Sequence, residues 1–178
     1  MGRKMDFVRR KPARLNNYDY SSSGAYFITI CTHNKKYLFS NVVGAIQELP
    51  ENKLTQYGEY VKQIIEILPL RFNISIPKFL IMPNNIHMII VIKNDEMRAI
   101  RESPLLRRNR SIIDKTIGFL KMNVSKKIHI TYKENIWQRS YHDHIIRDEK
   151  DYLKIWEYID TNVIKWKLDC FYKNEESQ

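Results

Sequence analysis

Apolar and polar positions divide the chain into stretches of two different periods. Tyr26-Phe27-Ile28-Thr29-Ile30-Cys31-Thr32 is aromatic and β-branched and reads as a strand, and His33-Asn34-Lys35-Lys36 turns the chain after it. Leu54, Tyr57, Val61, Ile64, Ile65 and Leu68 recur at three- and four-residue spacing, which predicts a helix with one apolar face, ended by Pro69. Ile74 to Met82 and His87 to Ile92 are two apolar runs joined by Pro83-Asn84-Asn85, the pattern of a hairpin. Ser111, with Asp114 three residues on, resembles a capping box. It would open a helix burying Ile113, Ile117, Leu120, Val124 and Ile128. Ile136 to Arg147 reads as a strand with aromatic and histidine content. A final helix from about Asp148 would bury Tyr152, Ile155, Trp156, Ile159 and Val163. The order strand, helix, strand, strand, helix, strand, helix is the ferredoxin-like α+β plan: an antiparallel sheet, helices on one face, and one extra C-terminal helix.

Composition sharpens the frame. A chain of 178 residues, 43% of them apolar, supports one core with extensions. We divide it into a basic N-terminal arm (1–23), a single folded domain (24–168) and a short tail (169–178). The formal net charge of +10 points to a polyanionic partner. Arg3, Lys4, Arg9, Arg10, Lys11 and Arg14 crowd the arm, and Arg98, Arg101, Arg107, Arg108 and Arg110 fill a loop in mid-chain. Arginine in such segments suits bidentate phosphate binding. No basic amphipathic helix accompanies the charge, and no apolar run is long enough to span a bilayer, so a membrane is not expected as partner. Cys31 and Cys170 follow no metal spacing, which fits a reduced, cytoplasmic protein.

Four groups of residues carry candidate chemistry or binding. Asn85 and His87 are two apart on an apolar run, so they project to the same side of a strand. Two polar side chains on a buried face fit a metal ion or a phosphate; a histidine simply hydrogen-bonded within the sheet is the plainer alternative. Tyr158 and Asn162 sit four apart and share a face of the last helix. A tyrosine there can act as a nucleophile where something stabilises the phosphate it attacks, or it can be core padding with its hydroxyl at the surface. His142-Asp143-His144 is a rival metal pair at strand spacing, and the neighbouring Tyr141 is a rival nucleophile. Trp137, Gln138, Arg139 and Arg147 suit stacking and phosphate contacts with single-stranded nucleic acid.

These segments together resemble the tyrosine transposases of the IS200-like superfamily, most closely the branch associated with repetitive extragenic palindromes. The resemblance rests on Tyr20-Ser21 with Gly24 to Asn34, on Met82-Pro83-Asn84-Asn85-Ile86-His87, on Ile136 to Arg147, and on Tyr158-Ile159-Asp160-Thr161-Asn162. They run in order from about residue 18 to 166. The resemblance implies a ferredoxin-like nuclease that cuts single-stranded DNA near hairpins and acts as a monomer or homodimer. It implies Tyr158 as the nucleophile, forming a 5′-phosphotyrosine and freeing a 3′-hydroxyl. It also implies a Mg²⁺ or Mn²⁺ site built from a His-hydrophobic-His pair and a polar residue one turn after the tyrosine. Those positions are Asn85, His87 and Asn162, so Asn85 stands where the family has a histidine. An asparagine offers a carbonyl oxygen, a neutral and weaker ligand than imidazole for transition metals. The alternative reading is therefore a relative that recognises hairpin DNA with catalysis weakened or lost. A third, an RNA-binding ferredoxin-like domain, requires exposed aromatics on the sheet. In the leading reading Arg9, Arg10, Arg14, Arg107, Arg108, Arg139 and Arg147 contact DNA.

Overall fold

In the computed structural model, residues 23–43, 50–93 and 111–166 are described. Strand β1 spans Gly24–Cys31, β2 Ser40–Val43 and β3 Glu51–Leu54; helix α1 follows over Gln56–Arg71. Then come β4 (Ile74–Ile81), β5 (Asn85–Ile92), α2 (Ile112–Ile128), β6 (His142–Ile146) and α3 (Glu149–Lys165). The main sheet has the order β4-β5-β1-β6 with every neighbouring pair antiparallel, the ferredoxin-like arrangement that the element order predicts. Pro77 is tolerated because β4 is an edge strand and its register shifts between Ser75 and Lys78.

The two faces of this sheet are covered differently. Tyr26, Ile28 and Ile30 of β1 and Ile86, Met88, Ile90 and Ile92 of β5 point into the main core beneath α1 and α2. Both helices start at side-chain caps that satisfy otherwise orphaned N–H groups. Thr55 Oγ1 accepts from Gly58 N, and Ser111 Oγ accepts from Asp114 N while donating to the Asp114 carboxylate. Gly58 is required by contact: a Cβ there would lie 2.0 Å from the carbonyl oxygen of Phe39. The alternate residues, Phe27 of β1 with Ile89 and Val91 of β5, face the other way. There α3 lies across the sheet, packing Ile155 and Ile159 on Ile89. The extra helix thus forms a layer of its own, opposite α1 and α2.

Several local expectations need correction. The periodicity of the chain does not predict the β2–β3 hairpin; its short strands carry no hydrophobic alternation, and Leu54 ends β3 instead of opening α1. Asn52 Nδ2 ties the hairpin to the main sheet by donating to Ile81 O at 2.7 Å. Pro69 lies within the last turn of α1, which runs on to Arg71. Strand β5 begins at Asn85, so the turn contributes its last residue to the strand. The predicted strand from Ile136 is regular only over β6, with Trp137 making an isolated bridge to Thr32. Asn162 takes the buried place at the end of α3 expected of Val163, which is half-buried. No described helix is long and apolar enough to cross a membrane.

Candidate active site

The site begins at the turn between β4 and β5, which the end of β1 holds in place. Thr32 donates twice to Asn84 O, from its N–H at 2.8 Å and from Oγ1 at 3.1 Å. Leu38 N and Phe39 N both donate to Pro83 O, and Met82 N donates to Asn85 O. The turn is rigid for this reason, and its side chains are enclosed. Asn85 is 7% exposed and His87 5%, on the face that α3 covers. Asn85 Nδ2 donates to Asn84 Oδ1 at 2.8 Å, whereas the buried Asn85 Oδ1 accepts no hydrogen bond among the described residues. Register places Thr29 directly opposite His87, and Thr29 Oγ1 lies 2.9 Å from His87 Nδ1. The imidazole also stacks on Phe27, with centroids 5.5 Å apart and an interplanar angle of 18°.

Helix α3 brings the second half. Asp148 caps it, its Oδ1 accepting from Asp151 N at 2.8 Å. Ile155, Ile159 and Asn162 form its buried stripe, Asn162 at 7% exposure. Tyr158 flanks that stripe at 42% exposure, with its ring edge-on to both His87 and Phe27, at 5.4 Å and 5.9 Å between centroids. A half-exposed phenol against a buried imidazole can meet a reacting group arriving from solvent. An ion pair between Lys78 and Asp160 ties the helix to β4, and Lys78 Nζ also lies 4.5 Å from the Trp156 ring centroid.

The structure thus brings Tyr158 into contact with His87, sets Asn85 on the same face of β5, and buries Asn162 one turn beyond the tyrosine. As donors, the three side chains offer one imidazole and two amide oxygens. The orphaned Asn85 Oδ1 fits a cation, since a buried carbonyl without a partner costs on the order of 1–3 kcal/mol. Mg²⁺ and Mn²⁺ suit oxygen-rich sets.

The rival residues lie elsewhere. His142 and His144 are exposed, and His144 Nε2 pairs with Asp151 Oδ2 at 2.7 Å, which holds the Asp151 carboxyl below its usual range. Among the described residues no cluster of three His, Cys, Asp or Glu side chains could hold a metal. Tyr141 donates to Asp114 Oδ1 at 3.0 Å, in the cap of α2 and against the main core. Arg139 and Arg147 are exposed on either side of β6. Arg9, Arg10, Arg14, Arg107 and Arg108 lie outside the described residues.

Lys121 of α2 escapes sequence reasoning. Its Nζ donates to Gln138 O at 2.9 Å and to Ser140 O at 2.8 Å, holding the segment that carries Arg139. Burial pushes its ammonium down to about 8. A lysine on a helix flank gives no such signal, because the carbonyls it meets are remote in the chain. Thr29 was likewise invisible as a partner of His87, since strand register alone brings them together.

No protein-family model matches the chain. A protein of Haemophilus influenzae described as uncharacterised is 39% identical over an alignment of 173 residues that covers 92% of this chain and 93% of that protein. A second protein of that organism, assigned as a REP-associated tyrosine transposase, is 24% identical over 177 residues, covering 92% of this chain and 90% of its own. Among solved structures, a REP-associated tyrosine transposase bound to a REP hairpin matches with a TM-score of 0.57 at 19% identity. That match covers 86% of this chain and 73% of the other, and it is a likeness of fold.

Proposed function

We propose that this chain is a REP-associated tyrosine transposase that nicks and rejoins single-stranded DNA beside hairpins with Tyr158 as nucleophile, a reading supported by its likeness to such proteins in sequence and in fold. The observation that carries the proposal is the contact of the half-exposed Tyr158 ring with buried His87, beside the unpartnered carbonyl of Asn85. In the reaction the Tyr158 hydroxyl oxygen attacks the scissile phosphorus in line. The bond from phosphorus to O3′ breaks as the bond to the phenol oxygen forms. The phenol proton passes to solvent, the leaving 3′-oxygen takes one up, and the DNA 5′ end stays attached to the protein. Attack by a 3′-hydroxyl on this phosphotyrosine reverses the bonding and joins strands. His87, Asn85 and Asn162 would hold a Mg²⁺ or Mn²⁺ ion, which supplies Lewis-acid polarisation of the phosphate when bound.

The chain's own residues orient and grip. Docking of α3 carries Tyr158 to the sheet, and Lys78 holds that helix through Asp160 and Trp156. Arg139 and Arg147 are exposed where they would meet DNA phosphates, and Arg9, Arg10, Arg14, Arg107 and Arg108 would add to a salt-sensitive grip. Incubation with a single-stranded hairpin oligonucleotide and Mn²⁺ tests the reading: a covalent adduct should form with the wild type and vanish in Tyr158→Phe. The donor set itself favours a second reading. One imidazole and two neutral amides, without a carboxylate, bind a cation weakly, which suits a hairpin-binding protein whose catalysis has faded. Tight hairpin binding with no adduct under Mg²⁺ or Mn²⁺ would establish that one.

A further inference from the structure

We propose that Asn84 and Thr29 are positioning residues that aim the two candidate ligands of β5, Asn85 and His87, at a divalent cation. The inference rests on the metal-site reading above and assigns roles to two residues outside the ligand set. Asn84 is buried at 3% exposure, and its Oδ1 accepts from Asn85 Nδ2 at 2.8 Å. That hydrogen bond fixes the plane of the Asn85 amide. It occupies the amino end, leaves the carbonyl end facing away, and polarises it so that Oδ1 carries more negative charge. The arrangement reproduces, with an amide, what a ligating histidine obtains when its second ring nitrogen donates to a fixed acceptor. The outcome is a buried Oδ1 that accepts no hydrogen bond among the described residues, which is what a ligand awaiting a cation requires.

Thr29 does the corresponding work for His87. Its Oγ1 lies 2.9 Å from Nδ1, and Phe27 stacks against the ring, so both tilt and rotation of the imidazole are set by β1. With Nδ1 engaged by Thr29, Nε2 is the nitrogen through which His87 would coordinate. Both supporting residues are anchored where strand pairing or the Thr32 contacts hold the backbone. An asparagine in place of a ligating histidine is thereby given a fixed orientation.

Mn²⁺ affinity, measured by calorimetry on the full chain without DNA, separates the possibilities. Asn84→Ala and Thr29→Val should each weaken Mn²⁺ binding by about tenfold or more, the usual effect of removing an outer-layer partner. Thr29→Ser, which keeps the hydroxyl, should restore it. In an Asn85→Ala background, Asn84→Ala should change affinity by less than about twofold, because a residue acting through Asn85 has nothing left to aim. A purely structural Asn84 would weaken binding equally in both backgrounds, and that result overturns the proposal. So would unchanged Mn²⁺ affinity in Asn84→Ala and Thr29→Val when Asn85→Ala and His87→Ala both weaken it. If the wild type binds no Mn²⁺, or Asn85→Ala and His87→Ala bind it as well as the wild type, the metal-site reading itself falls and the aiming roles fall with it.

Discussion

Ile159→Ala tests whether α3 is fastened to the sheet as its packing indicates. Ile159 is 1% exposed and packs with Ile155 of its own helix on Ile89 of β5. Truncation to alanine removes three carbons from a dry contact, about 2.4 kcal/mol at roughly 0.8 kcal/mol per methylene. The cavity left behind brings the total to about 3 kcal/mol, inside the usual range for such truncations of about 2–5 kcal/mol. The other contacts of α3 compensate little: a small cluster, the Tyr158 ring edges, and the Lys78–Asp160 and His144–Asp151 pairs, which are partly exposed and worth about 1 kcal/mol or less each. A loss of 3 kcal/mol is about a hundredfold in the ratio of docked to undocked helix, at about 1.4 kcal/mol per decade. Native-state hydrogen exchange should therefore show the amides of α3 exchanging about a hundredfold faster, with those of α1 and α2 slowed or quickened far less. Tyr158 rides on the same helix, so adduct formation should fall in parallel. Unchanged exchange across α3, or a stability loss below about 1 kcal/mol, would refute the docking and with it the Tyr158–His87 contact.

Three further outcomes follow from the same geometry. Asn85→His should raise affinity for Mn²⁺ and favour it more strongly over Mg²⁺, since imidazole suits transition ions; no gain in calorimetric titration would mean that position 85 is not at the cation. Lys78→Met keeps the apolar stem over Trp156 but removes the charge, and should lower stability by about 1–2 kcal/mol through the lost ion pair and cation–π contact, read by urea unfolding. Lys121 has its folded-state pKa lowered to about 8 from the ordinary 10.5, so between those values the unfolded chain binds more protons and stability rises with pH. Thermal unfolding at pH 7.5 and 10 should show that rise in the wild type relative to Lys121→Met; equal pH dependence in the two would contradict it.

The fold was legible where periodicity marks one buried face. Ile113, Ile117, Leu120, Val124 and Ile128 are all buried on α2, and Ser111 caps it as its spacing indicates. The β2–β3 hairpin left no trace because Glu51, Asn52 and Lys53 are held by backbone pairing and by the Asn52 contact to Ile81 O. For α3, the apolar stripe was readable, but which face of the sheet it covers was not: both faces of β5 are apolar apart from Asn85 and His87. Of the candidate site, the spacing of Asn85 with His87 and of Tyr158 with Asn162 showed two polar pairs, each on one face of its element. That Tyr158 meets His87 depends on α3 crossing opposite α1 and α2, a tertiary fact. Thr29, Asn84 and Lys121 act through contacts set by register and turn geometry, which local patterns do not encode.

Mapping the protein–DNA adduct by peptide mass spectrometry, after reaction with a single-stranded hairpin oligonucleotide and Mn²⁺, tests the central claim most directly. The account predicts a phosphonucleotide on the peptide containing Tyr158, absent in Tyr158→Phe and retained in Tyr141→Phe. A phosphonucleotide on Tyr141, or one that persists without Tyr158, would contradict it.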